Sequence, residues 1–359
     1  MDKNTYVAIM AGGVGSRFWP GSREAKPKQF LDILGVGKSL IRLTFERFLD
    51  LCPAERIFVV THKKYKEQVL EHIPELKEHQ VLCEPSRNNT APSVAYTAFK
   101  LNAINPNANF VIAPSDHIIL KEVEFLDQIR AALKFSEQNE ALVTLGIQPS
   151  RPDTGYGYIN FQRNGQDGVF KVKSFKEKPD VETAKAYLES GEYLWNAGIF
   201  VWRSESILKA FQKHATSIYN VLLAGVKDYN TENEQTFMDE NYPKTDSISV
   251  DFAIMEKAEN IYTIPADIGW SDLGTWASLH TELLSIEKEN ITNTDMVRLV
   301  DTTDSLIRLP AGKMALIRGL HDYLVIDEED VLVIYPKSKE QDIKGETLEI
   351  KKLFGEKFL

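Results

Sequence analysis

Over roughly the first 150 residues, short unbroken apolar runs alternate with longer stretches in which apolar residues recur every three or four positions. Residues 6–10, 56–60, 80–82, 109–113 and 141–145 have the length and branching of buried strands. Between them, residues 39–51 carry Leu40, Leu43, Phe45, Phe48 and Leu49 on one stripe behind a serine cap. An Ala-rich segment beginning near Ala91 and the stretch 125–135 also read as helices. Strands separated by helices imply right-handed crossovers and a doubly wound, mostly parallel, Rossmann-like α/β sheet, in which ligands bind beyond the carboxyl ends of the strands.

The texture changes near residue 153, where residues 153–159 and 169–175 alternate in the manner of turn-rich β structure. A long apolar strand is expected at 194–202, two or three helices within 204–239, a short helix at 250–257 and a strand at 260–264. Beyond about Ile291 only short apolar β runs remain, near 296, 306, 314, 323 and 331. The last three repeat at close to ten residues, which suggests stacked β turns. The expected organisation is a large domain over 1–288, with halves of about 1–150 and 151–288, and a small β domain over 289–359.

A length of 359 residues agrees with one large domain plus a small one. The net charge of −10 excludes a general nucleic-acid surface, which needs a basic stripe, and makes cations gathered in motifs more informative. Cys52 and Cys83 have no metal-knuckle spacing and read as free thiols of a reducing compartment. There is no basic-then-apolar leader and no run of 18 apolar residues, so a cytoplasmic protein without a membrane partner is expected.

The first predicted strand runs straight into Ala11-Gly12-Gly13-Val14-Gly15-Ser16-Arg17-Phe18-Trp19-Pro20, followed by Lys26-Pro27-Lys28. Glycines let a backbone wrap closely round phosphate, while N–H groups, Arg17 and Lys28 supply donors and charge. The dinucleotide fingerprint fails because its third glycine would fall on Phe18. The P-loop fails because no Gly-Lys-Ser/Thr stands at the required spacing.

Four further segments carry chemistry. Glu84 opens a stretch through Asn89, Thr90 and Pro92 that alone reads as a helix cap. Asp116 and Asp272 each suit either helix capping or an oxygen site for Mg²⁺. Gly157 bends a strand or admits a ligand to the backbone. Lys176-Glu177-Lys178 is by pattern an exposed charged face, and Asn196 is an amide within an apolar run that must find partners.

Taken together, G-G-x-G-x-R-x-x-P, Pro27-Lys28, Phe175-Lys176-Glu177-Lys178-Pro179, Asn196 and Trp270-Ser271-Asp272-Leu273-Gly274-Thr275-Trp276 resemble the sugar-1-phosphate nucleotidyltransferases. Within them the chain looks most like the mannose-1-phosphate guanylyltransferases, over most of residues 6–276. The resemblance implies GTP and mannose 1-phosphate as substrates and GDP-mannose and pyrophosphate as products. It places the nucleotide on Ala11, Gly12, Gly13, Gly15, Arg17, Lys28, Glu84, Asn89 and Thr90, with Glu84 the candidate for reading guanine. The sugar phosphate falls to Gly157, Glu177, Lys178 and Asn196, and Mg²⁺ to Asp116 and Asp272. Arg17, Lys28 and Lys178 become the catalytic cations. Ala197 departs from the serine usual in the family. The C-terminal domain is expected to be β-helical and able to mediate homo-oligomers, and the isomerase domain that two-function members add after this region is not expected. A different nucleotide and sugar pair, or a non-catalytic nucleotide-sugar sensor, are the alternatives; a sensor would have lost some of Arg17, Lys28, Asp116, Lys178 and Asp272, and all five are kept.

Overall fold

The structure, a computed structural model, describes residues 2–165, 167–284, 289–328 and 330–359. By internal contacts it divides into two compact units. The expected boundary at 288–289 adjoins residues 285–288, which lie outside the described residues.

The first unit comprises Met1–Gly12, Thr44–Ser115 and Ile119–Trp270. Its strands are β1 (Thr5–Met10), β2 (Ile57–His62), β3 (Val81–Glu84), β4 (Asn109–Pro114), β5 (Leu142–Ile147), β6 (Tyr158–Phe161), β7 (Phe170–Lys176), β8 (Tyr193–Arg203) and β9 (Ile261–Ala266). Among the described residues they form one sheet in the order β3-β2-β1-β4-β8-β5-β9-β7-β6. The first four strands are parallel, with Val7 opposite both Ile57 and Val111, as expected of a doubly wound sheet. The expectation of a mostly parallel sheet needs correction beyond β4. Strand β8 enters antiparallel to both β4 and β5, β9 returns parallel to β5, and β6 and β7 pair antiparallel. Apolar periodicity reports burial and not strand direction, so the 194–202 run was recognisable as a strand without its orientation.

Helix α1 (Leu40–Phe48) spans the division at 43–44. The first unit also holds α2 (Lys66–His72), α3 (Thr90–Ile104), α4 (Glu122–Gln138), α5 (Val181–Ser190), α6 (Ser204–His214), α7 (Thr216–Leu223) and α8 (Glu234–Asn241). Tyr96, Phe99, Phe211 and Tyr242 share one core with Phe110, Phe200 and Trp202 of the sheet. Both cysteines are buried and free, and burial pushes the Cys52 thiol up to about 12 and Cys83 to about 11.

The second unit comprises Gly13–Leu43, Asp116–Ile118 and Ser271–Leu359. It adds α9 (Trp276–Leu284), β10 (Ile291–Thr292), β11 (Val297–Val300), β12 (Leu306–Arg308), β13 (Ala315–Arg318), β14 (Tyr323–Asp327), β15 (Leu332–Pro336) and α10 (Ile343–Phe354). Strands β10, β12 and β14 pair in parallel, β15 closes that sheet antiparallel to β14, and β11 pairs in parallel with β13. Phe18, Trp19, Leu31, Trp276, Leu306 and Leu324 lie in its core. No helix among the described residues is long and apolar enough to cross a membrane.

A charged cluster lies inside the first unit. Lys100 of α3 is 3% exposed and donates to both carboxylate oxygens of Glu234 on α8, at 2.7 and 2.6 Å. Tyr96 Oη and Asn230 N complete the carboxylate's shell. Removing one partner strands a buried charge, which costs more than removing both. Lys100→Met is expected to lower unfolding stability by about 3–5 kcal/mol in urea titrations, and adding Glu234→Gln to recover part of that loss. A cost under about 1 kcal/mol for Lys100→Met would mean that the pair does not hold α3 to α8.

Candidate active site

In the second unit the glycine loop folds onto its own lysine. Gly15 has φ +74°, and a Cβ there would come within 2.5 Å of Lys28 Cβ, so both its backbone conformation and its contact require glycine. The Lys28 amide donates to Val14 O at 3.1 Å and the Ser22 hydroxyl donates to the same carbonyl. Arg17 sits in the single turn Ser16–Phe18.

Lys28 is buried at 3% exposure, and its ammonium donates to Asp116 Oδ2 and to the carbonyl oxygen of Asp272, both at 2.9 Å. The same ammonium stands 5.2 Å from the centre of the Phe18 ring. Gly15, Arg17, Lys28, Asp116, His117 and Asp272 line a cleft of about 300 Å³. Burial alone would raise the Asp116 carboxyl, but the Lys28 ammonium, His117 and the bond from Lys28 outweigh it and hold Asp116 below the usual carboxylate range.

Neither aspartate caps a helix. Helix α4 begins at Glu122, six positions after Asp116. Helix α9 is capped by Thr275 and Ser278, whose hydroxyls each accept the other's backbone N–H, at 3.1 and 2.9 Å. Asp272 Oδ1 accepts from Gly274 N at 3.1 Å across Leu273, which has φ +44°. Glu340 accepts from Ala277 N in the first turn of α9 at 2.7 Å. Burial raises the Glu340 carboxyl despite that bond, the Thr275 hydroxyl and the charge of Arg17.

In the first unit, Ala11 is tied into the sheet, its N–H bonded to Val60 O and its carbonyl to Thr61 Oγ1, each at 2.8 Å. Glu84 ends β3 buried, accepting from the hydroxyls of Ser93 and Tyr242. Burial raises its carboxyl against those two donors. Its Oε2 lies 3.8 Å from where a Cβ on Gly12 would sit. Asn89, at φ +64°, caps α3 by accepting from Thr90 N at 2.8 Å, and Thr90 Oγ1 accepts from Val250 N at 2.9 Å. The capping seen in the sequence is therefore present, with Glu84 as a separate buried carboxyl beside it.

Gly157, Glu177, Lys178 and Asn196 also meet within the first unit. Gly157 O accepts from Asn196 N at 2.8 Å, and a Cβ on Gly157 would fall 2.6 Å from Glu177 Oε2, so only glycine admits that carboxylate. Glu177 is buried, whereas the Lys178 side chain is 58% exposed and reaches Glu177 Oε1 at 2.7 Å. Lys178 holds φ +42°, and its N–H donates to Tyr156 O at 3.2 Å. Asn196 Oδ1 accepts from Thr144 Oγ1 at 2.9 Å and Gly198 N at 3.2 Å, while its Nδ2 donates to Asp251 Oδ1 at 3.0 Å.

Sequence reasoning left Asp251 and Glu340 unassigned. Asp251 carries one local signal, a lone carboxylate opening an apolar turn. Glu340 carries none, because its partner lies 63 positions away.

The nucleotidyl transferase family model matches residues 6–289. The chain is 34% identical to mannose-1-phosphate guanylyltransferase 2 of Escherichia coli O157:H7, over 96% of this chain and 73% of the relative. It is also 34% identical to the alginate biosynthesis protein AlgA of Pseudomonas aeruginosa, over 94% of this chain and 70% of that protein. A solved structure from Thermus thermophilus, described as a mannose-1-phosphate geranyltransferase, superposes with a TM-score of 0.87 at 27% identity, covering 97% of this chain and 99% of the other. A Helicobacter pylori structure described as a mannose-6-phosphate isomerase gives a TM-score of 0.62 at 26% identity, over 75% of this chain and 99% of that one. With its glycine loop, buried lysine and cleft carboxylates in place, the chain belongs to the nucleotidyl transferase family and is a nucleotidyltransferase enzyme.

Proposed function

We propose that the chain is a mannose-1-phosphate guanylyltransferase, which transfers GMP from GTP to α-D-mannose 1-phosphate and releases pyrophosphate. The observation that carries this reading is the 34% identity to a relative of that name over 96% of the chain. The cleft of Arg17, Lys28, Asp116 and Asp272 supports it, since it presents cations and oxygen ligands to a triphosphate. The domains proposed are 1–288 for transfer and 289–359 for a β-helix-like module. Homo-oligomers through that module are supported by Leu316, Leu332 and Ile334, which stand exposed on its strands. The proposed location is the cytoplasm.

A phosphate oxygen of the sugar 1-phosphate attacks the α-phosphorus in line, with no covalent enzyme intermediate. Catalysis then rests on orienting two anions and offsetting charge as it develops. Arg17 and Lys28 hold the triphosphate. Lys178 leaves Glu177 for the sugar phosphate, and Glu177 and Asn196 address sugar hydroxyls. Gly12, Gly13 and Gly15 give the nucleotide backbone access, and Glu84, Asn89 and Thr90 form the base side.

The donors fit Mg²⁺. Asp116 and Asp272 offer hard oxygens at the same cleft, the donor type that Mg²⁺ prefers while keeping several waters. When bound, Mg²⁺ supplies charge neutralisation at the phosphates.

The reading is tested by pyrophosphate release across the four NTPs with mannose 1-phosphate and glucose 1-phosphate, alongside conversion of mannose 6-phosphate to its ketose isomer. Fastest release with GTP and mannose 1-phosphate supports it. Isomerisation without pyrophosphate release overturns it.

Two sets of variants probe the roles. Lys178→Ala is expected to raise the KM for mannose 1-phosphate about tenfold or more, since a hydrogen bond to a charged group contributes about 1.5–3 kcal/mol, with the KM for GTP nearly unchanged. Equal loss of both affinities in calorimetry contradicts a sugar-phosphate role. Asp116→Asn and Asp272→Asn are each expected to cut turnover more than about tenfold, about 1.4 kcal/mol of barrier, with the fold retained. Unchanged turnover and unchanged Mg²⁺ dependence in both variants would rule out the two-carboxylate metal site.

A further inference from the structure

Asp251 begins a π-helical turn, Asp251–Met255. Such turns are rare and concentrate at functional sites. The side chain is set against Asn196, whose amide has little freedom. Asn196 Oδ1 is filled by Thr144 Oγ1 and Gly198 N, and one hydrogen of Nδ2 is committed to Asp251 Oδ1. One amide hydrogen therefore remains, and Asp251 decides its direction. Among the described residues Asp251 Oδ2 has no side-chain partner. Glu177 and Lys178 are the charged groups that act on Asp251, and Asn196 is the neutral donor to it.

Resting on the reading of this cluster as the sugar 1-phosphate side, we propose that Asp251 is a specificity-determining residue, holding the Asn196 amide through Oδ1 and offering Oδ2 to a sugar hydroxyl. The two residues then present a donor and a second polar group side by side, an arrangement that reads the placement of a hydroxyl and not merely its presence.

The charges give this pocket a pH response. Burial and the neighbouring Glu177 carboxylate push Asp251 up to about 7, against the opposing pull of Lys178 and the Asn196 amide. A sugar phosphate adds negative charge nearby and favours the protonated carboxyl further. Binding is therefore accompanied by proton uptake, and the sugar's affinity falls as pH rises through about 7. The protonated carboxyl accepts from Asn196 and donates to the sugar. An asparagine side chain can do the same at every pH.

The test compares wild type, Asp251→Asn and Asp251→Ala by initial rates between pH 6 and pH 8.5, with mannose 1-phosphate and its C2 epimer glucose 1-phosphate, together with melting temperatures. Asp251→Ala is expected to raise the sugar KM about tenfold, the equivalent of one hydrogen bond, and to narrow the preference between the epimers at least about fivefold, with the GTP KM unchanged. Asp251→Asn is expected to keep the wild-type sugar KM of low pH and to lose the rise through pH 7, leaving only the opposite trend set by the phosphate's own ionisation. The proposal is overturned if Asp251→Ala leaves the sugar KM or epimer preference unchanged, or if the wild-type pH profile persists in Asp251→Asn. It is also overturned if both variants raise both KM values while melting earlier. Should wild type prefer another sugar 1-phosphate, the mannose assignment fails, and Asp251 is judged by the same comparison on that substrate. Should calorimetry find no sugar 1-phosphate bound at all, both readings fall.

Discussion

A buried ammonium group organises the second unit. Lys28 is almost wholly removed from water, and its charge is answered by the Asp116 carboxylate and the Asp272 carbonyl. Lys28 and these two partners come from three separate stretches of chain, 13–43, 116–118 and 271–359. An unpaired buried charge costs several kcal/mol, so any arrangement that parts those stretches is penalised at this one atom. Gly15 is bound to the same constraint, since the lysine stem fills the space that a side chain would need. The lysine that the motif marks for chemistry is thus also the residue that brings the cleft carboxylates to one place.

The C-terminal segment of that unit serves the loop directly. Trp19 Nε1 donates to Phe358 O at 2.7 Å, Arg308 donates to the carbonyls of Ile33 and Asp32, and Arg23 makes a two-pronged pair with Asp330. Trp276 begins α9 four residues after Asp272, packs 4.7 Å from Phe18 between ring centres, and donates to Trp19 O at 3.1 Å. Glu340 holds the first turn of that helix. Residues far along the chain therefore set the position of the segment carrying Asp272. The phosphate role proposed for this cleft needs such support, because misplacement by about 1 Å can cost about a hundredfold in rate.

Much of this was legible beforehand, for reasons that differ by residue. Buried parallel strands announce themselves as short apolar runs, and β1, β2 and β4 emerged within a residue or two of their expected ends. Gly15, Lys28 and Asp272 were singled out because phosphate chemistry restricts which residue types can serve at fixed spacing, and the structure brings them to one cleft. The antiparallel insertion of β8 was not, because direction depends on pairing between residues about 90 positions apart. Asp251 was hidden for a related reason. Its meaning lies in Asn196, 55 positions earlier, and nothing local separates a ligand from a helix-opening carboxylate. Helix α10 went unread because its apolar positions are few and Leu348, Leu353 and Phe354 remain exposed.

Three of the segments marked in the sequence hold a non-glycine residue in strained backbone. Asn89, Lys178 and Leu273 all hold positive φ without being glycine, a conformation that costs of order 1 kcal/mol or more each and persists only where surroundings enforce it. Each enforcement is visible: Asn89 bonds the N–H of Thr90, Lys178 is fixed through Tyr156 O and Glu177, and Leu273 is fully buried inside the turn closed by Asp272. A glycine at any of the three would relieve the strain and lose a side chain or core contact that the surroundings use. Where glycine does stand, at Gly15 and Gly157, the neighbour is a charged side chain that needs the room, Lys28 in one case and Glu177 in the other. Glycine thus admits a charged group at Gly15 and at Gly157, and a non-glycine residue at positive φ stands in each of the same two clusters, Leu273 in one and Lys178 in the other.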